Sequence, residues 1–240
     1  MKIISSLVLD YPYVGMDTEF PGIVAKPVGL YRSTEALEYQ AMRCNVDMLR
    51  IIQIGITLGN EKGELPKPCC TWQFNFKFDV DKDPYAKGSI KMLQDNGLDL
   101  QKFLEDGIDV YDFARLLIPS GLVLNDAITW VAFQCGADFG YLMKVLTSLP
   151  LPEDDQAFLE QLQIYFPHFY DIRYYTVNHT ELQGGLERII VELGVPRVGI
   201  AHQAGSDSLA TLQTFFKLRE SEYNIDAVGD VKNKIFSMSP

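Results

Sequence analysis

Two carboxylates near the N-terminus occupy alternate positions of a short apolar segment. Asp17 and Glu19 are separated by one residue in the sequence MDTEF. If this segment is a strand, both side chains project from the same face, with backbones about 7 Å apart. Like charges so placed repel, and a divalent cation between them removes the conflict. Oxygen ligands favour Mg²⁺ or Mn²⁺. Taken alone, the pair could instead lie on a strand face that is exposed to solvent and binds no metal.

Two later segments carry further candidate residues. Asp138 stands where a predicted strand gives way to a helix, and substrate sites of α/β sheets gather at such strand ends; helix capping is the alternative. His202 and Asp207 belong to the segment HQAGSD. Asp207 is predicted in a first helical turn, where the helix dipole favours an ionised carboxylate. His202 could take a proton near neutral pH, or serve only as a structural hydrogen-bonding residue.

Strands and helices must bring these three segments together. Strands are predicted at Tyr13–Phe20, Ile51–Leu58, Trp72–Phe78 and Ile128–Phe133. The apolar residues Ile3 to Leu9 are interpreted as a lead-in to the first strand. Helices are predicted from Ser33 or Thr34 to Met48, from Asp138 to Leu149 and from Asp154 or Asp155 to Phe166. Two more are predicted, one that follows Gly184 and Gly185 and continues through Leu193, and one from Ser206 to Arg219. This pattern predicts one α/β domain.

The composition limits the classes of function. The chain has 240 residues, a net charge of -11 and 47% hydrophobic residues, so a sizeable core is expected and global disorder is not. The acidity argues against binding nucleic acid or an anionic membrane by bulk positive charge. It permits a phosphate substrate whose contacts are mediated by bound cations. The four cysteines include no C-x-x-C pair, which predicts reduced thiols and no zinc site. No membrane-spanning helix is expected, because no apolar run is long enough.

The ordered set of motifs resembles the DEDD superfamily of 3′→5′ exonucleases, in its His-containing type. Within that superfamily the chain is most similar to the CAF-one/Pop-type deadenylases. The matching segments are MDTEFPG from Met16, RCNVD from Arg43, IIQIG from Ile51, DFGYL from Asp138 and HQAGSDSL from His202. Scattered agreement extends from Tyr11 to Glu220, and HQAGSDSL is its most specific part.

The resemblance implies an α/β fold of the RNase H-like type, with a mixed central sheet flanked by helices. We expect a single domain over residues 1–240, with a core over about 11–220 and an atypical tail over 221–240. The implied activity is removal of mRNA poly(A) tails with release of 5′-AMP. It also implies two divalent ions, Mg²⁺ or Mn²⁺, held by Asp17, Glu19, Asp138 and Asp207, while His202 orients or deprotonates the attacking water.

The family further implies partners and a location in the cell. The implied partners are the poly(A) 3′ end of mRNA and two kinds of subunit of the CCR–NOT complex, the scaffold and the second deadenylase. The implied location is the cytoplasm and also the nucleus. Phe20 could meet the terminal nucleotide, with a core role as the alternative. Two other functions stay open, namely a catalytically idle adaptor and a metal-dependent DNA exonuclease.

The chain also departs from the family pattern. Gln134 replaces a usual His and Ala137 a common aromatic, and the tail from Ser221 lacks the usual Gly-Tyr-Gly character. From the resemblance we also expect the chain to begin later than the family's N-terminal helix. None of these departures falls on the four acids or on His202.

Overall fold

A five-stranded mixed sheet lies at the centre of the computed structural model, which describes residues 1–227 and 229–239. Its strands are β1 (Tyr13–Glu19), β2 (Gln53–Gly59), β3 (Thr71–Asn75), β4 (Thr129–Ala132) and β5 (His168–Asp171). They are arranged in the order β3-β2-β1-β4-β5. β1 pairs antiparallel with β2 and parallel with β4; β2–β3 is antiparallel and β4–β5 parallel. β1 is therefore the central strand.

Helices cover both faces of this sheet. They are α1 (Lys2–Leu7), α2 (Thr34–Met48), α3 (Lys87–Asp95), α4 (Leu100–Asp106), α5 (Val110–Leu117), α6 (Gly136–Thr147), α7 (Asp155–Tyr165), α8 (Ile172–Thr176), α9 (Leu186–Glu192) and α10 (Ala204–Glu220). On one face, residues of α2, α5, α6 and α7 pack with the sheet in one buried cluster. On the other, α9 and α10 pack in a second.

The two-residue period of β1 assigns its side chains to opposite faces. Gly15 lies directly under α10, where an added Cβ would come within 2.5 Å of the Ser208 carbonyl oxygen. Asp17 and Glu19 share the face of Gly15, so they project towards the beginning of α10. Val14 and Met16 are fully buried on the opposite face, in the cluster that contains α6.

Most predicted elements are confirmed, with boundaries shifted by a few residues. Ser33 caps α2 by accepting a hydrogen bond from the amide of Ala36, and Asp154 caps α7 in the same way. The predicted mixed sheet flanked by helices is confirmed as well. Among the described residues, no helix has the length and hydropathy needed to cross a membrane. The four cysteines are free thiols.

Two local predictions are wrong. The N-terminal apolar residues form α1 rather than a lead-in to a strand, because Ile4 is fully buried from one side of a helical turn. The predicted strand through Phe78 ends at Asn75. Phe76 makes an isolated bridge to Ile108. Apolar and polar residues still alternate beyond the end of the strand because the side chains of Phe76 and Phe78 are both fully buried.

Candidate metal-dependent nuclease site

The predicted site residues come from three elements that meet at the carboxyl end of β1. Asp17 and Glu19 lie in β1, opposite Gly55 and Gln53 of β2. Asp138 lies in the first turn of α6 and Asp207 in the first turn of α10. The approach of α10 to the sheet is so close that a Cβ on Gly55 would lie 1.9 Å from the carbonyl oxygen of Ala204.

Two glutamines of the sheet fix the beginning of α10. The amide of Ala204 donates to the Gln53 side chain at 3.2 Å, and the amide of Gly205 donates to the Gln73 side chain at 2.9 Å. These amides belong to the first helical turn, whose N–H groups have no partner within the helix. The sheet therefore holds the end of α10 that carries Asp207.

Thr18 attaches the Asp138 carboxylate to the strand between the two acids of β1. Its amide donates to Asp138 Oδ1 at 2.9 Å, and its hydroxyl donates to the same oxygen. Asp138 is buried, and these bonds cross from one element to another, so the carboxylate does more than cap its own helix. Thr18 has a role that the sequence did not reveal, since its partner is 120 residues away.

His202 lies at the exposed edge of the site. One ligand atom from each of Glu19, His202 and Asp207 falls within a group in which all distances are at most 4.8 Å. The backbone amide of His202 donates to Asp207 Oδ2 at 2.9 Å, and His202 has a left-handed φ of 60°. The five-residue spacing thus does bring the imidazole to the acids. At these distances the imidazole could also serve as a ligand of a metal ion held by Glu19 and Asp207.

Burial and mutual repulsion make the acids of the site hard to ionise. The pKa of Asp17 is raised well above its usual value, first by burial and then by Asp138, Glu19 and Asp207. Burial, followed by Asp207 and Asp138, raises the pKa of Glu19 to about 8. Burial also raises the pKa of Asp138 to about 7, although hydrogen bonds from Thr18 oppose the shift.

A bound cation would remove this conflict, so the donor set fits a divalent metal. Four carboxylates supply the hard oxygen ligands that Mg²⁺ and Mn²⁺ prefer, and no cysteine lies among them. The roles of Asp17, Glu19, Asp138, His202 and Asp207 as ligands or catalytic groups stay predictions. What the structure establishes is that the three sequence segments meet in one buried acidic site.

Arg197 is a cation of the site that sequence reasoning missed. Its Nη2 atom contacts Asp207 Oδ1 and also lies 2.8 Å from Glu187 Oε1. Its Nε and Nη1 atoms are buried and have no hydrogen-bond partner among the residues that the structure describes. The only signal in the sequence would have been a lone arginine ten residues before Asp207.

A cavity of about 670 Å³ opens beside the acids. Asp17, Thr18 and Asp138 are among the residues that line it. Phe20 also lines it, and its ring stacks on that of Tyr141 with a centroid distance of 5.1 Å. Phe20 is therefore placed where it could meet a substrate, while one side of its ring packs on the protein. A contact with a nucleotide stays a prediction.

Comparison with known proteins agrees with this geometry. The model of the CAF1 family ribonuclease matches residues 1–113. The poly(A) ribonuclease pop2 of Schizosaccharomyces pombe is 45% identical over 238 residues, which cover 99% of this chain and 71% of that protein. The Mg²⁺- and Mn²⁺-bound structure of S. pombe Pop2p has a TM-score of 0.93 at 45% identity, covering 98% of this chain and 94% of that one. Yeast CAF1, co-crystallised with the NOT1 MIF4G domain, has a TM-score of 0.80 at 32% identity, with coverage of 98% and 91%.

Proposed function

Since the chain belongs to the CAF1 family of ribonucleases and shares their RNase H-like fold, we propose that it is a 3′→5′ exoribonuclease that shortens mRNA poly(A) tails and releases 5′-AMP. The observation that carries this proposal is the cluster of Asp17, Glu19, Asp138 and Asp207, of which Asp17 is half-buried and the others are buried, and three of which have raised pKa values. A cluster of that kind is costly to a protein unless it holds cations. A catalytically idle adaptor would have no use for it.

Each polar residue of the site has a distinct part in this mechanism. Asp17, Glu19 and Asp207 would hold one divalent ion, and Asp17 with Asp138 a second. When bound, such ions supply charge stabilisation at the phosphate and the leaving oxygen and lower the pKa of water. Thr18 keeps the Asp138 carboxylate oriented through two hydrogen bonds.

His202 would act on the attacking water. Its imidazole is exposed at the edge of the site and carries a nitrogen within 4.8 Å of carboxylate oxygens of Glu19 and Asp207. A ring nitrogen in that position can accept the proton of a water molecule held between the two acids. The adjacent backbone amide holds Asp207 in place at the same time.

The net charge favours delivery of RNA by partner proteins. Two divalent ions would change the formal charge from -11 to -11 + 4 = -7, so the protein stays acidic. We expect weak RNA affinity for the isolated chain, since binding through phosphates requires a basic surface. The complex of yeast CAF1 with the NOT1 MIF4G domain supports the scaffold of the CCR–NOT complex as one partner. We further propose a second deadenylase subunit as a partner, and function in the cytoplasm and nucleus.

Cleavage of labelled oligo(A), oligo(U) and oligo(dA) would test the function directly. With Mg²⁺ or Mn²⁺ we expect stepwise 3′→5′ shortening of oligo(A), and with EDTA none. Asp17→Ala should abolish cleavage without unfolding the protein, whereas Asp10→Ala, a matched change at an exposed aspartate before β1, should not.

Three outcomes would contradict the proposal. Preferred cleavage of oligo(dA) would indicate a DNA exonuclease. Absence of cleavage under all metal conditions would indicate an idle adaptor. Near wild-type cleavage by folded Asp17→Ala would remove the acidic cluster from the mechanism.

A further inference from the structure

The C-terminal segment is attached to β5, the edge strand of the sheet. Lys232 forms an isolated bridge with Tyr170 of β5. The Asn233 side chain accepts a hydrogen bond from the amide of Phe169 and donates one to the carbonyl of Pro167, both at 2.9 Å. Ile235 is fully buried. Residues 232–239, here named the tail segment, therefore have a fixed position beside β5.

A single buried carboxylate attaches the tail segment to the loop before α6. Asp171 Oδ1 accepts from the amides of Gln134, at 2.7 Å, and Arg173, at 3.0 Å. Asp171 Oδ2 accepts from the amides of Cys135, at 3.2 Å, and Phe236, at 3.0 Å. The backbone of Phe236 is thus held by the same group that holds the entry to α6, whose first turn carries Asp138.

This attachment makes the tail segment a wall of the cavity beside the acids. Phe236, Ser237 and Met238 all line the cavity of about 670 Å³ that also contains Asp138. Met238 packs on the start of α6 so closely that a Cβ on Gly136 would lie 2.3 Å from its Cε atom. The segment cannot move away from the cavity without losing this packing and the bond to Asp171.

Phe236 presents an aromatic ring in this wall. The guanidinium of Arg173 lies 5.2 Å from the ring centroid, a cation–π contact that restrains the ring. Phe133 lines the same cavity, and so does Phe20. Single-stranded nucleic acids are held by stacking of their bases on such rings, a contact that tolerates any base because every base has a π-face.

We propose that Phe236 is a substrate-binding residue, whose ring stacks on a nucleobase near the 3′ end of the RNA. The inference rests on the proposed function and deepens it. Since Phe236 lines the cavity and has no part in the acidic cluster, it contributes to binding and not to the chemical step.

The test compares Phe236→Ala and Phe236→Tyr with the wild type on oligo(A). Loss of one stacked base raises KM by about 5- to 150-fold, while kcat and the affinity for Mn²⁺ stay unchanged. Phe236→Tyr retains the ring and should restore KM to near the wild-type value. Tyr111→Ala removes an aromatic ring that is 64% exposed on α5 and serves as the matched control with unchanged KM.

Fluorescence anisotropy with labelled oligo(A) in EDTA gives a second measurement that does not depend on turnover. If the wild type cleaves no RNA but Phe236→Ala still weakens the binding of oligo(A), the proposed function fails and the inference stands. If the wild type is active and Phe236→Ala has unchanged KM and unchanged affinity, the inference is wrong. A joint fall in kcat, Mn²⁺ affinity and melting temperature would also overturn it, because Phe236 would then be only structural.

Discussion

Neutralising one acid of the site should stabilise the metal-free protein while it abolishes activity. Glu19 is buried, and its pKa is raised from 4.5 to about 8 by burial and by the neighbouring carboxylates of Asp207 and Asp138. Glu19→Gln has nearly the same shape and no charge to desolvate. The variant should therefore remove an unfavourable contribution to the free energy of folding, together with a ligand for the cation.

The size of the effect follows from the pKa. In the unfolded chain Glu19 ionises near 4.5, whereas in the folded chain it stays protonated until about pH 8. The folded state therefore loses stability as pH rises from about 4.5 to about 8. At pH 7.5 this amounts to as much as ~4 kcal/mol, at 1.36 kcal/mol per pH unit over about three pH units. Because neighbouring acids share the penalty, we expect Glu19→Gln to recover about 2 kcal/mol.

Melting temperatures in EDTA would measure this difference. For a chain of this length, about 2 kcal/mol corresponds to an increase of roughly 4–8 °C at pH 7.5. The increase should shrink as the pH falls and disappear below about pH 4, where Glu19 is protonated in the unfolded chain as well as in the folded one. Glu61→Gln changes the same charge at an exposed turn and should have no such effect. Parallel melting profiles of wild type and Glu19→Gln between about pH 5 and pH 8 would refute the reasoning.

Three further substitutions are expected to act for separate physical reasons. His202→Ala should lower kcat by roughly 10²–10⁴-fold with an unchanged melting temperature, because the side chain is exposed; circular dichroism and single-turnover kinetics check this. Gly55→Ala places a Cβ 1.9 Å from the Ala204 carbonyl oxygen, so a lower melting temperature and reduced turnover are expected. Arg197→Met should weaken Mn²⁺ binding in calorimetry by about 10–100-fold, as loss of an outer partner of a ligand does. Arg188→Met, an exposed control, should bind Mn²⁺ like the wild type.

The sequence predicted those parts of the site that depend on local geometry. The alternation of a strand places Asp17 and Glu19 on one face whatever the rest of the fold does. The first turn of α10 likewise brings Asp207 next to His202, five residues away. In both cases the relation is determined by a few consecutive residues, so the pattern alone was sufficient.

The supporting residues could not be predicted in this way. Thr18 contacts Asp138 across 120 residues, and Asp171 contacts Phe236 across 65. Neither pair shows a local pattern, since each depends on how α6 and the tail segment pack on the sheet. The short helix α1 was not predicted, for a different reason. A brief apolar run is compatible with a strand or a helix until its packing is known.

Replacing a second buried acid by its amide should have the opposite effect on the stability of the metal-free protein. Asp171 is also buried, which raises its pKa, but four backbone amides oppose that effect by donating to its two oxygens. Asp171→Asn would replace one of these oxygens by an NH₂ group that faces two amide donors.

Each buried donor left without an acceptor costs about 1–3 kcal/mol, so we expect Asp171→Asn to lower the stability of the metal-free protein by about 3 kcal/mol. Glu19→Gln, by contrast, should raise it. Backbone amides satisfy the structural acid, and no comparable set of donors satisfies Glu19 among the residues described, which leaves its charge available to a cation. Equal effects of the two substitutions on the melting temperature in EDTA would contradict this distinction between a structural carboxylate and a metal ligand.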